Sequence, residues 1–303
     1  ETAAGYFPRL KAYLQQAGVP PEQATAADLQ FLNRAPQFDP LFPAAGLVGT
    51  LERFCAGLGI PLESLPNLHL DIEARPLKSP RAFCAPIRVP DEVMLVIMPR
   101  GGPDDYRALY HEAGHALHFA LTAPDLPLAL QLLGDNSVTE CYAFLMDNLV
   151  QNPAWMREIL GVSDGADYRA LTGFYKTWML RRYAAKLLYE IELHADADLD
   201  AMPERYARGL SDALGVEVRP VNYLADVDDA YYAARYLRAW MLEVQLREFL
   251  QSRLGPLWFQ ARAAGTFLRD LWRRGESLTE EDLAREMGAD GIHAEPLIQE
   301  LAA

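Results

Sequence analysis

Cysteine is scarce in this 303-residue chain, with Cys55, Cys84 and Cys141 as the whole supply. They form no Cys-x-x-Cys pair, which excludes a zinc knuckle or a dithiol redox motif. Three thiols at wide spacing are expected to be reduced, in an intracellular, cytoplasmic protein. Long hydrophobic runs are missing too. No apolar stretch approaches the ~18 residues that a membrane span requires, and the opening Glu1-Thr2-Ala3-Ala4-Gly5 lacks the charged-then-apolar order of a signal peptide. Basic charge is in deficit: 28 Lys and Arg against 42 Asp and Glu leave a net charge of −14. Nucleic-acid binding needs clustered cations to displace counterions, so nucleic acid is excluded as a partner, as is a membrane. The chain also has no initiator Met, and is expected to be a fragment or a trimmed product.

What is present is the composition of a soluble globular protein, 50% hydrophobic and 23% charged, with ample length for a core. Residues 1–65 are expected to form a helical N-terminal segment punctuated by Pro20, Pro21, Pro36, Pro40 and Pro43. Thr25 to Asp28 resembles a capping box there. Residues 66–100 are expected to hold a small antiparallel sheet of three strands, over 68–73, 83–89 and 93–98, the last a continuous apolar run. Residues 101–303 read as helical, with helices over 104–122, 137–151, 166–197, 203–214, 228–254, 266–274, 279–287 and 294–301. No repeat or low-complexity tract divides the chain, so 1–303 is expected to be a single, mainly α domain.

The informative motif is His111-Glu112-Ala113-Gly114-His115. Two His four residues apart on a helix aim both imidazoles at one point, and neutral imidazole is a good zinc ligand. Glu112 leans over the open coordination position, where a carboxylate can act as general base toward water. A chance match in a chain of this composition has odds of roughly one in a hundred. The small Ala113, Gly114 and Ala116 would let another helix approach closely. A catalytic zinc site needs a third protein ligand, and the next expected helix offers Glu140. Ser137-Val-Thr-Glu140 also spells a capping box, in which Glu140 would bond the helix start instead.

These residues resemble the catalytic half of the thimet oligopeptidase and oligoendopeptidase F family of zinc metallopeptidases. His111, Glu112, Gly114, His115 and His118 fill that family's H-E-x-G-H-x-x-H motif. Thr139-Glu140 through Asp147-Asn148 is similar to its V-E-x-x-x-x-x-x-E-N stretch, with Asp147 in place of the Glu. Asp71 to Pro86 and Val93 to Met98 resemble its hairpin and active-site edge strand. The match covers about residues 69–150 well and the remaining helices loosely.

The resemblance implies a zincin-like metallopeptidase domain with one zinc ion on His111, His115 and Glu140, and oligopeptide substrates. It also implies a longer chain, whose N-terminal half forms the other wall of a substrate channel. The family draws transition-state donors from a helix rich in His and Tyr. Tyr231, Tyr232 and Tyr236 are the candidates here, although core packing would explain the same stripe.

Alignment on Tyr231 and Tyr232 puts Asn222 where the family has His. Alignment on Arg235 and Tyr236 resembles the angiotensin-converting-enzyme and zinc carboxypeptidase branches and puts Asp226 there. With no His between His194 and His293, one donor is absent, a loss that typically costs ~10²–10³ in kcat. Two further readings therefore stand beside the oligopeptidase: a catalytically impaired zinc-bearing peptide-binding protein, and a carboxypeptidase or dipeptidase in which Arg235 grips a substrate carboxylate. His118 is expected to pack rather than ligate, His194 to lie outside the site, and Cys84 and Cys141 to serve as small buried hydrophobes.

Overall fold

The computed structural model describes residues 2–79, 81–163, 165–195 and 198–302. Thr25 and Thr279 start helices in the same way. The Thr25 N–H donates to Asp28 Oδ2 at 2.8 Å and the Thr279 N–H to Asp282 Oδ2 at 3.1 Å, so an acid at the third helical position satisfies the amide ahead of the first turn. The helices in chain order are α1 (Ala3–Gln16), α2 (Ala26–Arg34), α3 (Leu47–Gly57), α4 (Pro103–Leu121), α5 (Leu128–Leu132), α6 (Asn136–Asp147), α7 (Pro153–Trp155), α8 (Ala166–His194), α9 (Met202–Leu214), α10 (Tyr232–Leu254), α11 (Arg262–Trp272), α12 (Glu280–Glu286) and α13 (Glu295–Ala302). The mainly helical class expected from the sequence is what is found.

The departures have local causes. The helix expected from 228 begins at Tyr232, because Ala230 and Tyr231 have φ of 52° and 54°, a left-handed conformation that no α-helix continues through. The helix expected from 266 begins at Arg262. Gly265, which reads as a stop, lies inside α11 where a Cβ would fall 1.8 Å from the Leu58 carbonyl oxygen. Residues 196 and 197, the end of the helix expected over 166–197, lie outside the described residues.

Two compact units divide the chain: Glu1–Ala35 with Arg169–Arg238 and Ala294–Ala303, and Pro36–Tyr168 with Ala239–His293. In the first, Tyr6 is buried and its hydroxyl donates to the Leu214 carbonyl at 2.9 Å, while Arg181 lies over the Tyr6 and Phe7 rings. The second holds the main hydrophobic core, around the fully buried Tyr106, Tyr110, Trp155, Trp258 and Trp272.

The sheet belongs to this second unit and is mixed, not antiparallel as expected. Its strands are β1 (Leu68–Asp71), β2 (Phe83–Arg88) and β3 (Glu92–Val96), in the order β1-β3-β2. β2 and β3 form an antiparallel hairpin, and β1 adds to the far side of β3 in parallel. The connection from β1 to β2 makes that crossing. Lys78 anchors it, donating from a buried Nζ to Asp71 O, Asp71 Oδ1, Glu73 O and Ile97 O, each at 2.9 Å. The strand over 93–98, which the resemblance makes an edge for substrate and whose apolar run argues equally for a buried central strand, is the central one, with Val93, Leu95 and Val96 buried. β2, which packs beside α4, is an edge.

Candidate metal centre

α4 starts where the chain can turn sharply. Gly101 and Gly102 have φ of 87° and 90°, which L side chains rarely adopt. Pro103 takes the first helical position, and Asp105 Oδ2 accepts the amide of Gly101 at 2.8 Å. Two turns further, His111 and His115 share one face. Between them Gly114 meets α6, and a Cβ there would lie 2.5 Å from Ala143 Cα. The two backbones therefore touch beside the histidines, as the small residues of the motif foretell.

α6 begins with Asp135, whose Oδ1 accepts the Ser137 amide at 2.9 Å. Because Asp135 is the cap, Glu140 is released from the capping role that the sequence also allowed. Its buried Oε2 lies 3.3 Å from His111 Nε2 and 3.6 Å from His115 Nε2. The opposite ring nitrogens face other partners: His111 Nδ1 is 3.3 Å from Asp147 Oδ2 and His115 Nδ1 is 2.9 Å from Thr139 Oγ1. With Nδ1 held on both rings, both Nε2 atoms converge on the one carboxylate oxygen.

This geometry fits a metal ion. The ligand atoms of His111, His115 and Glu140 all lie within 4.8 Å of one another. Two donors each about 2.1 Å from a tetrahedral ion stand roughly 3.4 Å apart, close to both measured separations. Electrostatics agrees. Burial opposes charge on His111, but Asp147 and Glu140 outweigh it and push the ring up to about 10. Burial also opposes charge on Glu140, and the two imidazoles overcome it, holding the carboxyl well below the usual range. The buried carboxylate is thus matched by a cation, which is the proton on His111 when no metal is bound and would be a metal ion in its place. Among the described residues, no other group of His, Cys, Asp and Glu has this placement.

Glu112 reaches the sheet, where its Oε2 accepts the backbone N–H of Cys84 in β2 at 2.8 Å. The Cys84 thiol is half-buried and pushed up to about 12 by burial and by Glu112. Cys141 is fully buried, its thiol also driven upward. His118 packs, as expected: it is buried against the Phe119 and Tyr142 rings, with Nε2 3.1 Å from the Gly275 carbonyl. Burial pushes it down to about 4.

The tyrosine candidates lie in the first unit and the metal group in the second. Tyr236 has its ring 4.9 Å from Tyr183 and 5.0 Å from Tyr232. Tyr231 meets His194 at 5.4 Å, and Arg235 lies over the Tyr232 ring at 5.6 Å. Asp226 accepts from Tyr206 Oη at 2.9 Å and pairs with Arg182. The sequence reading gave Thr139 and Asp147 no role beside the metal. Their signal was available in the spacing: Asp147 follows Glu140 by seven residues, two turns along the same face of α6.

No protein-family model and no curated protein matches this sequence. Solved structures do. Metallocarboxypeptidase 1 of Trypanosoma cruzi superposes with a TM-score of 0.58 at 16% identity, covering 97% of this chain and 66% of its own. The carboxypeptidase of Pyrococcus furiosus superposes with a TM-score of 0.59 at 15% identity, covering 97% of this chain and 63% of its own. This chain thus spans somewhat less than two thirds of the length of either. Across nearly all its residues it has the metallocarboxypeptidase fold, with a His111, His115 and Glu140 group able to hold one metal ion.

Proposed function

We propose that this protein is a zinc-dependent peptidase that hydrolyses peptide bonds of oligopeptides. The observation that carries the reading is the convergence of His111 Nε2 and His115 Nε2 on Glu140 Oε2 across the α4–α6 contact. A zinc ion held by these three residues would supply a Lewis acid that polarises the scissile carbonyl and acidifies water. Glu112 would take the proton from the attacking water onto its carboxylate and deliver it to the leaving amine nitrogen as the C–N bond breaks. A tyrosine hydroxyl, Tyr236 with Tyr232 and Tyr231 as alternates, would donate to the developing oxyanion. That role rests on the family resemblance alone. An extended substrate would pair main chain to main chain with the edge strand β2.

A carboxypeptidase mode is the second reading, favoured by what both superposed structures are named. Arg235 is then the candidate cation for a substrate's terminal carboxylate. A further length of chain as the other wall of the channel, as in the oligopeptidases, belongs to the same proposal. A cytoplasmic setting suits the three free cysteines, and no helix among the described residues is long and apolar enough to cross a membrane.

The test is cleavage of internally quenched peptides, with free and with amidated C-termini, before and after chelation and zinc add-back. Cleavage that is lost on chelation and regained with zinc is expected. Restriction to free C-termini selects the carboxypeptidase mode. Zinc binding with no cleavage of either set would replace the enzyme by a zinc-bearing peptide-binding protein.

A further inference from the structure

The contact between Glu112 and Cys84 has a second side. β2 is flanked by β3 on one side only. Cys84 is in register with Leu95 of β3, yet its N–H is directed to Glu112 Oε2 at 2.8 Å. The amide therefore faces the open edge of the sheet. Main-chain groups alternate sides along a strand, so the next residue facing the same way is Pro86, which has no N–H to give. A proline at that position is tolerated because the edge needs no ladder hydrogen bond there. Between residues 84 and 86 the open edge presents one donor, the Cys84 N–H, and the carboxylate of Glu112 occupies it.

An extended peptide that adds to this edge needs donors for its carbonyl oxygens. We propose that the Cys84 amide is a latch for Glu112: a main-chain carbonyl of a peptide docking along β2 takes this N–H and releases the carboxylate. The general base is parked on the strand when the edge is empty and set free by the arrival of substrate. The exchange keeps the edge donor satisfied in both states, so neither leaves an orphaned amide. The inference rests on the peptidase reading for the identity of the ligand, an extended peptide, and for the role of Glu112 once released.

The scarcity of cysteine makes the test direct. Protein labelled with ¹⁵N at cysteine carries three amide probes, at residues 55, 84 and 141. The Cys84 amide proton is expected far downfield in the wild type and upfield in Glu112→Ala, with Cys55 and Cys141 unmoved as controls that the variant is folded. If Glu112→Ala disturbs those two, Glu112→Met, of similar length and without an oxygen acceptor, serves in its place. Saturation with a pentapeptide carrying one reduced, uncleavable bond is expected to abolish the difference between wild type and variant at Cys84.

An unliganded Cys84 resonance that ignores Glu112 would overturn the latch, and a difference that persists in the presence of bound peptide would overturn the release. The readout needs no turnover. A responsive Cys84 in a protein that cleaves nothing would sink the peptidase reading and leave the latch standing.

Discussion

Gly114 and Ala143 hold α4 and α6 at backbone contact: a Cβ on Gly114 would lie 2.5 Å from Ala143 Cα and 2.7 Å from its nitrogen. The separation between His115 and Glu140 depends on this approach. Gly114→Ala is expected to push the helices apart, destabilising the fold by ~1–3 kcal/mol despite alanine's better helix propensity. Zinc affinity should fall with it. Thermal unfolding and a competitive zinc titration measure the two effects, and an alanine variant equal to the wild type in both would show that the contact sets nothing.

Asp147 orients His111 from two turns along α6. Asp147→Ala leaves all three ligands in place but frees the His111 ring, and is expected to weaken zinc binding by ~10–100-fold. Competition against a chromophoric chelator reads the loss. Asp147→Glu, which restores the residue usual in the resembling family, should recover part of it.

Glu112 is not one of the three residues grouped to hold a metal, and its Oε2 is bonded to the Cys84 amide. Glu112→Gln is therefore expected to keep zinc stoichiometry while lowering kcat by ~10²–10⁴. Metal analysis and peptide cleavage on the same preparation decide it. Unchanged cleavage with zinc in place would remove Glu112 from the chemistry.

Behind the metal helix, burial and the nearby Asp135 push Glu276 up to about 7 from its ordinary 4.5. The folded protein keeps this proton over a range where the unfolded chain has lost it. The contribution of Glu276 to stability is thus fully present below about pH 4.5 and declines until about pH 7, by on the order of 3 kcal/mol. His118, 3.9 Å away, acts oppositely: held down at about 4 against an ordinary 6.5, it costs stability as the pH falls through that interval. Glu276→Gln should remove the loss on the alkaline side. Urea unfolding at pH 5 and pH 8 tests this, and an unaltered difference between the two would contradict it.

The parts that were legible in the sequence are those fixed within a few helical turns. The two His, the Glu beside them and the small residues opposite α6 follow from spacing on a single helix. Glu140 was ambiguous because Ser137 offered it a second partner, and only the cap supplied by Asp135 removes that competition. The sheet order was not legible. A hairpin signal announces β2 and β3, but which side of β3 receives β1 is decided by the connection from β1 to β2 and the four carbonyl and carboxylate oxygens gathered by Lys78. Gly265 misled because its freedom from a side chain serves packing against Leu58 rather than a helix end. Tyr231, Tyr232 and Tyr236 depend on tertiary placement that no local pattern encodes.

All three proposed ligands fall between residues 111 and 140, so the metal group closes one short loop of chain. Its contact order is low, and loops of that length close on the submicrosecond scale. Zinc would therefore find its ligands through the meeting of α4 and α6 alone. A peptide spanning residues 103–147 is then expected to gain helicity when zinc is added, the ion acting as a staple for the pair, and circular dichroism with and without zinc checks it.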